Sequence, residues 1–132
     1  MRNFFATFIA ASTLWACGGD SAGPNTPNLT GTFIGDYTVS LDPGTIYQVT
    51  VHLTQNGSAV SGTLTTDSGR SGNVTGSISG THLTASVTFT DGCGGTSSNT
   101  ADITNNGTRL TGHYTANDCI GQYTGDYTLI KQ

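Results

Sequence analysis

Val74-Thr75-Gly76-Ser77-Ile78-Ser79-Gly80-Thr81-His82-Leu83-Thr84-Ala85-Ser86-Val87-Thr88-Phe89 alternates apolar and hydroxyl side chains twice, with Ser79-Gly80-Thr81 between the two runs. Successive strand residues point to opposite faces, so a period of two predicts two strands, each with one dry and one wet face, joined by a tight turn. The same period extends in both directions. It predicts about eight strands: Thr30–Leu41, Ile46–Gln55, Ala59–Thr66, Gly72–Ser79, His82–Thr90, Asn99–Thr104, Arg109–Ala116 and Gly121–Ile130. Asn56-Gly57 and Asn105-Asn106-Gly107 suit hairpin turns because Asn and Gly accept positive φ, and Asp42-Pro43-Gly44 marks another turn. Short links between successive strands predict an up-and-down antiparallel order.

A glycine repeat narrows the architecture. Apolar-x-Gly-x-apolar recurs at Phe33-x-Gly35-x-Tyr37, Val60-x-Gly62-x-Leu64, Val74-x-Gly76-x-Ile78, Leu110-x-Gly112-x-Tyr114 and Tyr123-x-Gly125-x-Tyr127. Each glycine falls on the apolar face, where it weakens a strand unless it permits a bend or a close approach. Strands coiled around a narrow interior satisfy that condition, so the expectation is an all-β, antiparallel up-and-down barrel, with a two-sheet sandwich as the alternative. Gly31-Thr32-Phe33-Ile34-Gly35-Asp36-Tyr37-Thr38 is echoed by Gly121-Gln122-Tyr123-Thr124-Gly125-Asp126-Tyr127-Thr128, first and last strands that would meet at the seam of a closed barrel. The Gly-x-aromatic opening of the first strand resembles the Gly-x-Trp opening of lipocalins, fatty-acid-binding proteins and avidins, with Phe33 in place of tryptophan. That resemblance implies a barrel that takes a small ligand inside or at its mouth. Phe33, Tyr37, Phe89, Tyr114, Tyr123 and Tyr127 are then the candidate lining residues.

The N-terminal segment gives an address. Arg2 precedes an apolar stretch, Phe4 to Ala11, too short for a bilayer core that needs about 20 apolar residues, which reads as a signal peptide. Leu14-Trp15-Ala16-Cys17 resembles the lipobox of bacterial lipoproteins, with Trp15 departing from the usual small or aliphatic residue. The resemblance implies cleavage after residue 16, a lipidated Cys17, a flexible tether over 17–28 and a barrel domain over 29–132. Gly18, where inner-membrane lipoproteins often carry aspartate, implies an outer-membrane destination in the bacterial cell envelope. An unacylated secretory signal is the alternative. Of three cysteines, assigning Cys17 to the lipid leaves Cys93 and Cys119 as a disulfide pair in an oxidising compartment. Up-and-down order puts both in loops at one end, a polar rim suited to recognition.

Composition excludes several classes. Charged residues make up 9 % of the 132, there is no Glu, and without Arg2 three cations face eight aspartates, a net of −5. Such a chain does not attract nucleic acid. His52, His82 and His113 fall on wet faces beside Thr, no Gly-x-Ser-x-Gly elbow occurs, and no catalytic residue is assigned. No metal or cofactor is assigned either; Asp36 and Asp126 across the seam point outward without further acidic neighbours, and Asp91 and Asp118 in the bridged loops are the better Ca²⁺ alternative. The reading is a non-enzymatic, lipid-anchored envelope protein that binds a small apolar or amphipathic ligand. Its rival is an interaction or inhibitor module that meets another envelope protein through the bridged loops.

Overall fold

A computed structural model of the protein describes residues 26–132; the signal segment 1–16, Cys17 and most of the tether lie outside the described residues. Eight strands follow in order: β1 (Gly31–Tyr37), β2 (Tyr47–Asn56), β3 (Ala59–Thr66), β4 (Ser71–Ser79), β5 (His82–Phe89), β6 (Thr96–Thr104), β7 (Arg109–Asp118) and β8 (Gly121–Lys131). Each pairs antiparallel with the next, and β1 pairs with β8, so the sheet is a closed up-and-down barrel rather than a sandwich. The echoed segments form the seam, where Tyr37 stands opposite Tyr127.

Alternation sets which side chains enter the interior. In β5, Leu83, Ala85 and Val87 are buried while Thr84, Ser86 and Thr88 face solvent. The five repeat glycines are on the inner side, and the neighbouring backbone closes over them. A Cβ on Gly35 would overlap the Thr128 carbonyl, one on Gly62 the His52 carbonyl, and one on Gly125 the Thr38 carbonyl. Two of these glycines are also covered by an aromatic ring from the strand alongside. Tyr127 stands opposite Gly112 and Tyr114 opposite Gly125, and each phenol occupies the space a side chain would have taken. The Gly-x-aromatic repeat therefore interlocks across the β7–β8 pair.

Three boundaries differ from the sequence reading by two residues or more. β1 stops at Tyr37, not Leu41. Thr38 and Ser40 still donate backbone N–H groups to the Asp126 and Thr124 carbonyls, but their side-chain oxygens accept the N–H groups of Asp126 and Thr124 in return. Side chain replaces carbonyl, the ladder ends, and Val39 folds inward against Tyr114, Ala116 and Tyr123. β6 begins at Thr96 rather than Asn99, and β7 runs to Asp118 rather than Ala116. Both extensions are polar on the inner face, where periodicity of apolar residues gives no signal; Asn99 Nδ2 donates to Ser97 Oγ at 3.0 Å inside the barrel.

The two poles are unlike. At one, the links between strands are short, Gly57 and Gly80 taking positive φ and Asn105–Gly107 making a single 3₁₀ turn. Leu29, Phe33 and Leu110 are fully buried. Leu29 N–H donates to Gln55 Oε1 at 2.7 Å, and Lys131 Nζ donates to the Asn28 carbonyl at 2.9 Å. This pole is a sealed floor, and Asn28, read as the last tether residue, is fastened to it. At the other pole lie the longer loops 38–46, 67–70 and 90–95, with the Cys93–Cys119 disulfide tying the last of these to the β7–β8 turn.

Candidate functional site

The inward faces of the strands do not meet in the middle. They enclose a cavity of about 530 Å³ whose wall runs from Leu53, Val60 and Leu110 in the depth of the barrel to Leu41, Asp42 and Ile120 in the loops. It therefore opens at the looped pole. Its size falls in the range of small-molecule sites, about 300–1,000 Å³, and like them it is chiefly hydrocarbon with a few polar groups. On β2 the wall includes Tyr47, Val49, Val51 and Leu53. Those positions span about 20 Å along a strand, or about 15 Å down the axis of a barrel with ordinary strand tilt.

Five of the six candidate lining residues, Tyr37, Phe89, Tyr114, Tyr123 and Tyr127, belong to this wall. Phe33 does not, and its assignment is corrected. It points inward but is fully buried in the same core cluster as Leu29, with Lys131 Nζ 5.7 Å from its ring centroid, so it packs into the core toward the floor rather than facing the cavity. Tyr47 was missed. It shares the inward parity of Val49, Val51 and Leu53, and counting back along β2 by two would have found it. Its ring stacks on Tyr37 at 5.4 Å, Tyr37 meets Tyr114 edge-on at 6.4 Å, and Tyr114 meets Tyr123 edge-on at 6.1 Å, giving a belt of four tyrosines around the upper cavity.

The hydroxyls of this belt are engaged. Tyr114 donates to the Thr38 carbonyl at 2.5 Å, Tyr123 to Asp118 Oδ2 at 2.6 Å and Tyr47 to Asp42 Oδ2 at 2.5 Å, while Tyr37 and Ser68 share a bond of 2.9 Å. Burial pushes Tyr114, Tyr123 and Tyr127 up from the ordinary phenol value, so all three stay neutral. What the belt offers a guest is the faces of its rings.

Arg70 ties the mouth together. Its Nε donates to Asp91 Oδ2 at 2.8 Å, Nη1 to Asp118 Oδ2 at 2.5 Å and Nη2 to the Gly94 carbonyl at 3.0 Å, and its guanidinium lies 4.0 Å from the centre of the Phe89 ring. One side chain thus joins the β3–β4 loop to both disulfide-linked loops. This corrects the Ca²⁺ alternative: the space between Asp91 and Asp118 is held by a guanidinium, which supplies the charge a cation would have brought. The Cys93, Asp118 and Cys119 grouping offers no metal site either, since both sulfurs are in the disulfide.

The Ser71 and Cys93 N–H groups and the Arg70 guanidinium hold the Asp91 carboxyl down at about 2. Burial works against the ionised form of Asp118, but the Tyr123 hydroxyl, the Ile120 N–H and Arg70 outweigh it and keep it below the usual range. With depressed folded values, these groups contribute stability that is complete above the unfolded carboxyl value, about 4, and is lost as pH falls through the folded value. Thermal melts should therefore show no loss from the clamp between pH 7 and pH ~4 and a decline toward pH ~2, and Arg70→Leu should shrink that acid limb to the part supplied by the Ser71, Cys93 and Ile120 N–H groups and the Tyr123 hydroxyl.

The histidines stand outside. His52 Nδ1 lies 2.9 Å from Thr32 Oγ1, His82 pairs with Asp102 at 3.3 Å and His113 with Asp126 at 2.8 Å, all on the exposed outer wall. None of the three lines the cavity. No family model matches the chain, and no curated protein matches it.

Proposed function

We propose that the protein is a non-enzymatic, lipid-anchored component of a bacterial cell envelope whose barrel holds a small apolar or amphipathic ligand. The observation that carries the binding half is the 530 Å³ apolar cavity, open at one pole and ringed there by tyrosines. A barrel built only for stability would bring its inner side chains into contact, because each void forfeits dispersion attraction. The anchoring half rests on the lipobox-like Leu14-Trp15-Ala16-Cys17, and the Cys93–Cys119 disulfide is compatible with an oxidising compartment.

The test is a neutral fluorescent hydrophobe such as N-phenylnaphthylamine, titrated against the protein and against Leu64→Trp. Leu64 lines the cavity, so an indole there would extend into its open volume. The expected result is saturable binding to the protein and at least a roughly tenfold loss in Leu64→Trp, with melting little changed because the new volume fills space already present. Equal binding by both proteins would place the dye elsewhere and remove the proposal.

A second reading is favoured by three exposed aliphatics at the mouth, Leu41, Ile46 and Ile120, which suit contact with another envelope protein through the bridged loops. Pull-down with Leu41→Ser/Ile120→Ser as the control separates it from the first.

A further inference from the structure

The looped pole is strongly unequal in charge. It carries Asp42, Asp67, Asp91 and Asp118 against one cation, Arg70, while the other two cations among the described residues, Arg109 and Lys131, belong to the floor pole. Arg70 is not open to an anionic guest. Three of its nitrogens already donate to Asp91, Asp118 and Gly94, one face of its guanidinium lies on Phe89, and an incoming carboxylate near it would meet two carboxylates at hydrogen-bond distance. Asp42 lines the cavity beside Tyr47, whose ring is stacked on Tyr37, so aromatic faces and a carboxylate converge on one part of the entrance. Faces of tyrosine rings attract cations, and more so where water is partly excluded.

From this arrangement, and resting on the ligand-binding reading above, we propose that the barrel takes a single-chain amphipath with a cationic head, an alkylammonium, in preference to a neutral one, and disfavours the fatty-acid type of anion. The chain occupies the hydrocarbon interior, whose depth of about 15 Å suits an elongated guest. The head remains at the entrance, between the Tyr37 and Tyr47 rings and the Asp42 carboxylate, with Asp67 adding a longer-range attraction that a like-charged head would feel as repulsion.

Displacement of bound N-phenylnaphthylamine by dodecyltrimethylammonium, dodecanol and dodecanoate, each below its micelle concentration, tests the order directly. The cation should displace the dye most effectively and the anion least, with a gap between them of roughly tenfold at low salt that narrows as salt is added. Asp42→Asn/Asp67→Asn, two changes at exposed loop positions, should shrink that gap at least threefold by the same Coulomb estimate. Equal displacement by all three, tighter binding of the anion, or a gap insensitive to the double substitution would overturn the preference and leave the cavity as a binding site. No binding of the dye or of any competitor would overturn both.

Discussion

Gly35→Ala is expected to lower stability by about 3 kcal/mol or more, toward the severe end of overpacking substitutions. The reason is local and steric. Gly35 sits in β1 against β8, and a methyl group there would occupy the position of the Thr128 carbonyl oxygen and crowd the Leu129 backbone. Backbone cannot rotate away as a side-chain tip can, so the seam must part or the ladder shift. For a domain of this size the loss corresponds to roughly 15 °C in melting temperature, readable by circular dichroism. Gly62→Ala should behave alike, since the His52 carbonyl holds the corresponding place against β3. The control is Gly92→Ala, in the β5–β6 loop, where a Cβ meets nothing within 4 Å and φ is unexceptional; it should be near neutral. Parity between Gly35→Ala and Gly92→Ala would refute the idea that inward glycines set the curvature of this barrel.

Arg70→Leu is expected to cost about 3 kcal/mol, at the low end for breaking a buried ion pair because the mouth is partly wetted. Asp118 has a side chain with no solvent exposure, and removing Arg70 leaves that carboxylate with the Tyr123 hydroxyl and the Ile120 N–H but no countercharge. Hydrogen exchange should quicken at 91–95 and 117–120, the segments Arg70 gathers, while β2 and β3 stay protected. Adding Asp118→Asn to Arg70→Leu should restore part of the stability, because the unpaired charge is then gone. Further loss on adding that second change would mean that Arg70 acts by packing on Phe89 rather than by charge.

The two substitutions separate what the sequence revealed from what it concealed. Alternation with inward glycines was enough for strand number, order and closure, because both are local patterns repeated along the chain and the echo of β1 in β8 marked the seam. The disulfide followed from cysteine number and the end-to-end logic of an up-and-down order. Tyrosines at the cavity were legible for the same reason, being inward by parity. Arg70 was not. It stands in the loop 67–70, without periodicity, and its partners Asp91 and Asp118 are 21 and 48 residues away, so only the folded mouth brings them together. Depth was also hidden: parity says that Phe33 points inward, but only the folded core shows that it is fully buried in one cluster with Leu29 and absent from the cavity wall.

That floor also gives the molecule a direction. The chain is fastened through Asn28 and Leu29 beneath the barrel, a full strand length from the tyrosine belt. On the proposed anchoring, the tether would meet the barrel at its base, so the residues nearest in sequence to the lipid and the rim that admits a guest would stand at opposite poles, and occupying one would not obstruct the other.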